Sequence, residues 1–244
     1  MTRPLALVLP FVLALAVAAP PAIAEDFTEG EIRQLVLETI RENPEIVMEA
    51  VGILQARDEE TAAAAAVSTL DERRDLLERD PNAPVLGNPD GDVTVVEFFD
   101  YNCPYCRRAG EEVAGLLEAD GDVRVVYREW PILGEESVFA ARAALAAREQ
   151  DAYGAFHEAL MGARGRVDEA VVMGIAADLG LDAERLRADM EAPEVQAHID
   201  TSMELAQSLG FTGTPSFVIG EALAPGLVET DQLLSMVEAA REGG

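Results

Sequence analysis

From Val93 to Phe99 the chain reads Val-Thr-Val-Val-Glu-Phe-Phe, a β-branched and aromatic run of strand length, and from Pro104 onward its apolar residues recur at helical intervals. Residues 123–129 alternate as another strand. Strand, helix and strand make a βαβ unit, whose crossover must pack on a sheet. A short strand is predicted from Val85. Between Trp130-Pro131 and Gly210 the period stays helical, with helices expected over 135–150, 151–161, 168–179, 182–190 and 194–209. This is an all-helical insertion, at about 132–210, in an α/β chain. Strand signals return over 214–219 and near Leu223, and 230–241 reads as a closing amphipathic helix.

Upstream the pattern is helical and thin. Thr28 and Glu31 have capping-box spacing, and Ile32, Leu35, Val36 and Ile40 predict a helix over 28–42. Asn43-Pro44 opens a second helix, with Val47, Val51 and Leu54 on one stripe, which runs through an alanine tract toward Leu70, Leu76 and Leu77. Asp80-Pro81 and Asn82-Ala83-Pro84 end it. Stripes this narrow need a partner, either the body of the same molecule or the same segment in another copy, and self-association is the expected one. At the extreme amino end Arg3, an apolar run over 5–19 and Ala22-Ile23-Ala24 form a secretory leader with a small-x-small cleavage site. The run falls short of the roughly 20 residues that a spanning helix needs. The expected organisation is a leader over 1–24, a helical extension over 25–81 and a catalytic domain over 82–244.

Charge narrows the partners. The 244 residues carry 46 acids against 18 basic residues, all arginine, a net charge of −28, and loss of the leader with Arg3 makes the balance more negative still. Such a field repels nucleic acid and anionic membranes. It suits a soluble protein, and export implies an oxidising compartment in which disulfides persist.

The only two cysteines, Cys103 and Cys106, stand where the central strand gives way to a helix. At that spacing, on a first helical turn, they can close a small disulfide, and the first lies where unpaired N–H groups favour a thiolate. Three readings fit. A structural bridge over so short a loop contributes about 2 kcal/mol on a chain-entropy basis, against about 4.7 for a hundred-residue loop. Zinc needs about four ligands, and only His157 and His198 are available to assist. Redox exchange uses the pair as it stands.

The stretches EFFDYNCPYC (97–106), REWPILG (128–134) and TGTPSFVIG (212–220), in that order, resemble DsbA-type thiol-disulfide oxidoreductases, over about 85–241. The helices before them resemble the branch named for suppression of copper sensitivity, ScsC. The resemblance implies a thioredoxin fold with a helical insertion. It implies Cys103 as a solvent-reachable nucleophile, Cys106 as the resolving thiol, Glu97 as a buried acid behind it, and a cis Pro215 facing the disulfide with Thr214 pairing to an extended substrate. Pro104 and Tyr105 tune the site. Strong oxidants of the family have histidine where this chain has Tyr105, so a less acidic Cys103 and a less oxidising disulfide are expected. Asp100 reads as a solvated loop acid, Arg107 and Arg108 as a solvated face, and His157 and His198 as surface or packed helix residues.

The expected protein is a periplasmic oxidoreductase acting on unfolded or misfolded exported proteins, with disulfide isomerisation or reduction favoured over primary oxidation. Its redox-active disulfide serves in place of a cofactor, and no metal site is expected. A membrane redox partner of the DsbD/ScsB or DsbB type would set its resting state. The alternatives are Cu(I) sequestration by the two thiols, a soft metal on soft ligands, and a redox-independent chaperone.

Overall fold

A computed structural model of the chain describes residues 27–243. The expected leader lies outside the described residues. The chain divides into two compact units, Met1–Ala56 and Arg57–Gly244. The division falls inside a helix, upstream of the proline-bearing stretch expected to separate extension from catalytic domain. The reason is burial: Leu70 and Leu77 are fully enclosed in the second unit, and each such leucine contributes about 1.5–3 kcal/mol.

In the first unit α1 (Glu29–Glu42) begins at the expected capping box, where Glu31 accepts the Thr28 N–H at 2.9 Å. No residue of α1 is buried. Ile32, Leu35 and Val36 are exposed, as are Val47, Met48, Val51 and Leu54 on the first turns of α2 (Glu45–Arg79).

The second unit is built on a five-stranded sheet of order β1-β3-β2-β4-β5. Its strands are β1 (Val85–Gly87), β2 (Val93–Phe99), β3 (Val123–Glu129), β4 (Ser216–Ile219) and β5 (Ala222–Pro225). Only β2 and β3 run parallel, joined by the crossover helix α3 (Pro104–Ala119). Every other neighbour is antiparallel. The expected insertion is present as α4 (Glu135–Ala146), a 3-10 turn, α5 (Tyr153–Met161), α6 (Glu169–Asp178), α7 (Ala183–Asp189) and α8 (Pro193–Ser208), and α9 (Thr230–Gly243) closes the chain.

Alternation along β2 sorts its side chains to two covered faces. Val95 and Phe99 join α3, α9 and the insertion helices in the larger core, which also takes in Cys103 and Cys106. Val96 and Phe98 meet Leu70 and Leu77 of α2 and Leu205 and Leu209 at the end of α8. Glu97 shares the larger core's face and is fully buried on the middle strand. An outward acid on an edge strand is thereby excluded.

One arginine fixes the end of α2. Arg128 on β3 is fully buried, pairs with Asp80 at 2.8 Å, and donates to the Leu76 and Leu77 carbonyls that the helix end leaves without intrahelical partners. Removing it strands a carboxylate and two carbonyls. Arg128→Ala is expected to cost about 3–5 kcal/mol, read as a lower urea midpoint. Arg79→Ala, on an exposed side chain at the same helix end, should stay within about 0.5 kcal/mol of the wild type.

Candidate active site

Cys103 is the N-cap of α3 and Pro104 its first helical residue, where a missing N–H costs nothing. The Cys103 sulfur therefore lies at the end of the helix where the first-turn N–H groups lack intrahelical partners. Both cysteines are free. Cys103 is drawn down to about 5: the Cys106 thiol hydrogen-bonds to it, burial opposes this, and the Thr214 side chain with the Cys106 and Tyr105 N–H groups adds to the lowering. Cys106 moves the other way, pushed far up by burial and by the same sulfur-to-sulfur hydrogen bond. One turn of helix therefore holds a thiolate and a proton donor beside each other.

The Thr214–Pro215 bond is cis, as the resemblance implied. The Cys103 Sγ stands 3.3 Å from the Thr214 carbonyl oxygen, within reach as an S–H donor. This contact corrects one expectation. Cys103 was read as solvent-reachable, yet the residue is only 5% exposed, because the loop before β4 lies across it.

Glu97 faces the larger core behind the pair. Its carboxyl is pushed up to about 8, first by burial and then by the charge on Cys103. Neither of its oxygens has a hydrogen-bond partner among the described residues. The site thus contains an acid that keeps its proton at neutral pH while the outer thiol loses its own.

A family model described as the DSBA-like thioredoxin domain matches residues 94–238. The chain belongs to that family. A second model, the copper resistance protein ScsC N-terminal domain, matches residues 29–60. Among solved structures, the chain is similar to a thioredoxin-like oxidoreductase from Silicibacter pomeroyi DSS-3, at 67% identity and TM-score 0.69, over 70% of this chain and 99% of that one. It is also similar to Proteus mirabilis ScsC in a compact conformation, at 31% identity and TM-score 0.66, over 88% and 99%. Among curated proteins it matches part of the Na(+)/H(+) antiporter NhaA 1 of Salinispora arenicola, 31% identical over 161 residues, 65% of this chain. The chain spans about a quarter of the length of that relative and of the others first matched.

Around this DSBA-like centre the structure engages residues that sequence reasoning set aside. Asp100 is buried, not solvated, and accepts backbone N–H bonds from Asn102, Ile132 and Leu133. Arg107 is not a solvated cation; it donates to the carbonyls of Tyr101 and Gly165. Arg108 does lie at the surface, 3.5 Å from Glu229. His157 and His198 are both buried. His157 receives the Tyr101 hydroxyl at 3.0 Å and is lowered to about 4 by burial, partly opposed by Glu129. His198 pairs with the buried Glu129 at 2.6 Å, and Tyr153 donates to the same carboxylate. The signal for Asp100 was its place between strand and cysteine loop; nothing local marked the partners of either histidine.

The two shifted groups make opposed contributions to stability. Glu97, raised in the folded state, contributes stability that is present below the ordinary carboxylate range and lost as pH rises toward 8. Cys103, lowered in the folded reduced state, contributes stability that grows as pH rises from 5 toward the usual thiol value. Between pH 5 and 8 the two slopes oppose. His157, lowered in the folded state to about 4, adds a third contribution that grows as pH rises to about 6.5, so reduced wild type should show a nearly flat stability profile only between about pH 6.5 and 8. Cys103→Ser should lose stability with rising pH and Glu97→Gln should gain it, each with a slope of up to about 1.4 kcal/mol per pH unit, measured by urea unfolding at a series of pH values.

Proposed function

We propose that the chain is an exported, periplasmic thiol-disulfide oxidoreductase acting on protein clients through Cys103. The observation that carries this is the split within one helical turn, Cys103 drawn down to about 5 and Cys106 pushed up, with Glu97 at about 8 behind them. The Cys103 thiolate attacks one sulfur of a client disulfide, forming a mixed disulfide and releasing the other client sulfur as a thiolate. With the Cys103 charge consumed in the mixed disulfide, Glu97 yields its proton to the released client thiolate and then accepts the proton of Cys106 as that sulfur attacks Cys103. The client's second sulfur leaves as a thiolate. Two electrons have moved from the cysteine pair to the client, leaving the Cys103–Cys106 disulfide. An ionised Cys103 no longer donates to the Thr214 carbonyl, which is then free to accept an N–H from an extended client chain.

Reduction and isomerisation are the favoured directions over primary oxidation. Tyr105, 58% exposed, supplies no cation to stabilise the thiolate beyond what the helix end gives. A membrane reductase of the DsbD/ScsB type would restore the thiols, and a DsbB-type oxidant would take its place if the direction reversed. The apolar, exposed side chains of α1 and of the start of α2 support self-association, which would present several sites to one client. Sedimentation of the chain with and without residues 25–56 tests this, a loss of mass beyond the deleted segment being the expected result.

The copper alternative fits the site less well. Cu(I) would have to reach a fully buried thiol, Cys106, and displace its proton.

Insulin reduction and scrambled-ribonuclease refolding test the proposal. Wild type should support both, Cys103→Ser neither, and Glu97→Gln should slow them by roughly tenfold or more, as loss of a general acid–base does. The disulfide should equilibrate with glutathione below the value of about −120 mV typical of DsbA. Inactivity of the wild type with tight Cu(I) binding would favour the carrier, and aggregation suppression that survives loss of both thiols would favour the chaperone.

A further inference from the structure

Asp100 stands three residues before Cys103 and takes no part in the exchange steps, yet it is 1% exposed. Its Oδ1 accepts the Asn102 N–H at 2.8 Å, which shapes the turn into the cysteine loop. Its Oδ2 accepts two N–H groups from the segment after β3, Ile132 at 2.8 Å and Leu133 at 3.0 Å. Its own carbonyl accepts the Cys103 N–H at 3.0 Å. One residue therefore holds the backbone of the nucleophile and the backbone of the segment that leaves the neighbouring parallel strand at the same end of the sheet.

Asn102 extends the arrangement. Its side chain accepts from the Val167 N–H at 2.8 Å and donates to the Val167 carbonyl and the buried Ser137 hydroxyl, both at 3.2 Å. The cysteine loop is thus tied to the first turn of α4 and to the loop before α6. Ile132 and Leu133 turn their N–H groups inward to Asp100 while their side chains stay 40% and 46% exposed. Two apolar side chains are thus kept in water on a loop bonded to the same residue that bonds the Cys103 backbone.

We infer that Asp100 is a positioning residue: its carboxylate sets Ile132 and Leu133 against Cys103, so that a polypeptide disulfide is aligned for attack in a way that a small disulfide is not. This rests on the exchange reading above and adds to it a determinant of client class. Three backbone N–H groups share the carboxylate between its two oxygens, so no neutral side chain of the same size replaces it. An asparagine has one acceptor oxygen, and its NH2 would face N–H donors on the other side.

The test compares Asp100→Asn with wild type in the reduced form, against a disulfide-bridged unfolded peptide and against bis(2-hydroxyethyl) disulfide, with amide hydrogen exchange at Ile132 and Leu133 as the structural readout. The variant should exchange those two amides faster and lose about tenfold in rate with the peptide, as a displaced binding element does. With the small disulfide it should change less than about twofold, within the range of an unaltered thiolate. Should Asp100→Asn fail to fold, Asp100→Ser keeps an acceptor for the Asn102 turn and removes only the tether to Ile132 and Leu133. Equal losses with both disulfides, or no loss with the peptide once the amides are freed, overturns the inference. Wild-type inactivity toward both disulfides overturns the exchange reading itself, before any variant is made.

Discussion

A single negative charge has two places to reside in this centre. The sulfur of Cys103 lies at the amino end of α3, where N–H groups and a neighbouring thiol support it, and Glu97 lies behind it in a site that offers its carboxyl no hydrogen bond among the described residues. Burial alone disfavours an ionised Glu97, and a thiolate nearby disfavours it further. The outer sulfur holds the charge and the inner acid holds the proton. That partition determines which cysteine attacks first and where the proton of the second one goes, and it requires Glu97 to be on the middle strand with both sheet faces covered.

Coverage of the second face comes from outside the thioredoxin-like unit's own crossover. The last turns of α2 and the end of α8 close it, with Leu70, Leu77, Leu205 and Leu209 against Val96 and Phe98. Arg128 holds the α2 end, and the following stretch is held by Arg148, which donates to Asn82, and by His198, whose ring stands 3.2 Å from the Asn82 carbonyl. The helical segment that reads in sequence as one long extension is thus used in two ways. Its later turns are core, and its earlier turns carry exposed apolar residues in a unit of their own.

What the sequence made legible was whatever local pattern encodes. The strand periods, the capping box at Thr28, the Pro104 helix start and the all-helical insertion are short-range signals, and the elements lie where those signals put them to within about three residues. The cysteine pair was legible from its spacing at the junction of strand and helix, and the Thr-Pro before β4 only through resemblance, since nothing in their spacing brings residues 103 and 214 together. Less legible were polar groups whose partners are distant in sequence: Asp100 with Ile132, Arg128 with Asp80, Glu129 with His198. A charged residue in isolation reads as solvated, because burying it is costly unless a partner is supplied. The partner is a property of the fold. The same blindness misjudged Cys103, whose exposure is limited by a loop arriving from more than a hundred residues away.

The buried polar groups have one arrangement in common. Asp100, Arg128, Glu129 and His198 all join the sheet or its cysteine loop to segments outside the βαβ unit. Replacing such pairs by apolar residues is often neutral or stabilising, so their stabilising worth alone does not explain why a charged group stands at each junction. What a hydrogen-bonded charge supplies and an apolar contact does not is a fixed direction. At Arg128 that direction fixes the end of a helix, and at Asp100 it fixes which backbone is presented to the reactive sulfur. A thiol exchange needs the three sulfurs it passes through nearly in line, so a chain that must hold a foreign polypeptide at one sulfur gains more from rigid orientation around that sulfur than from additional burial.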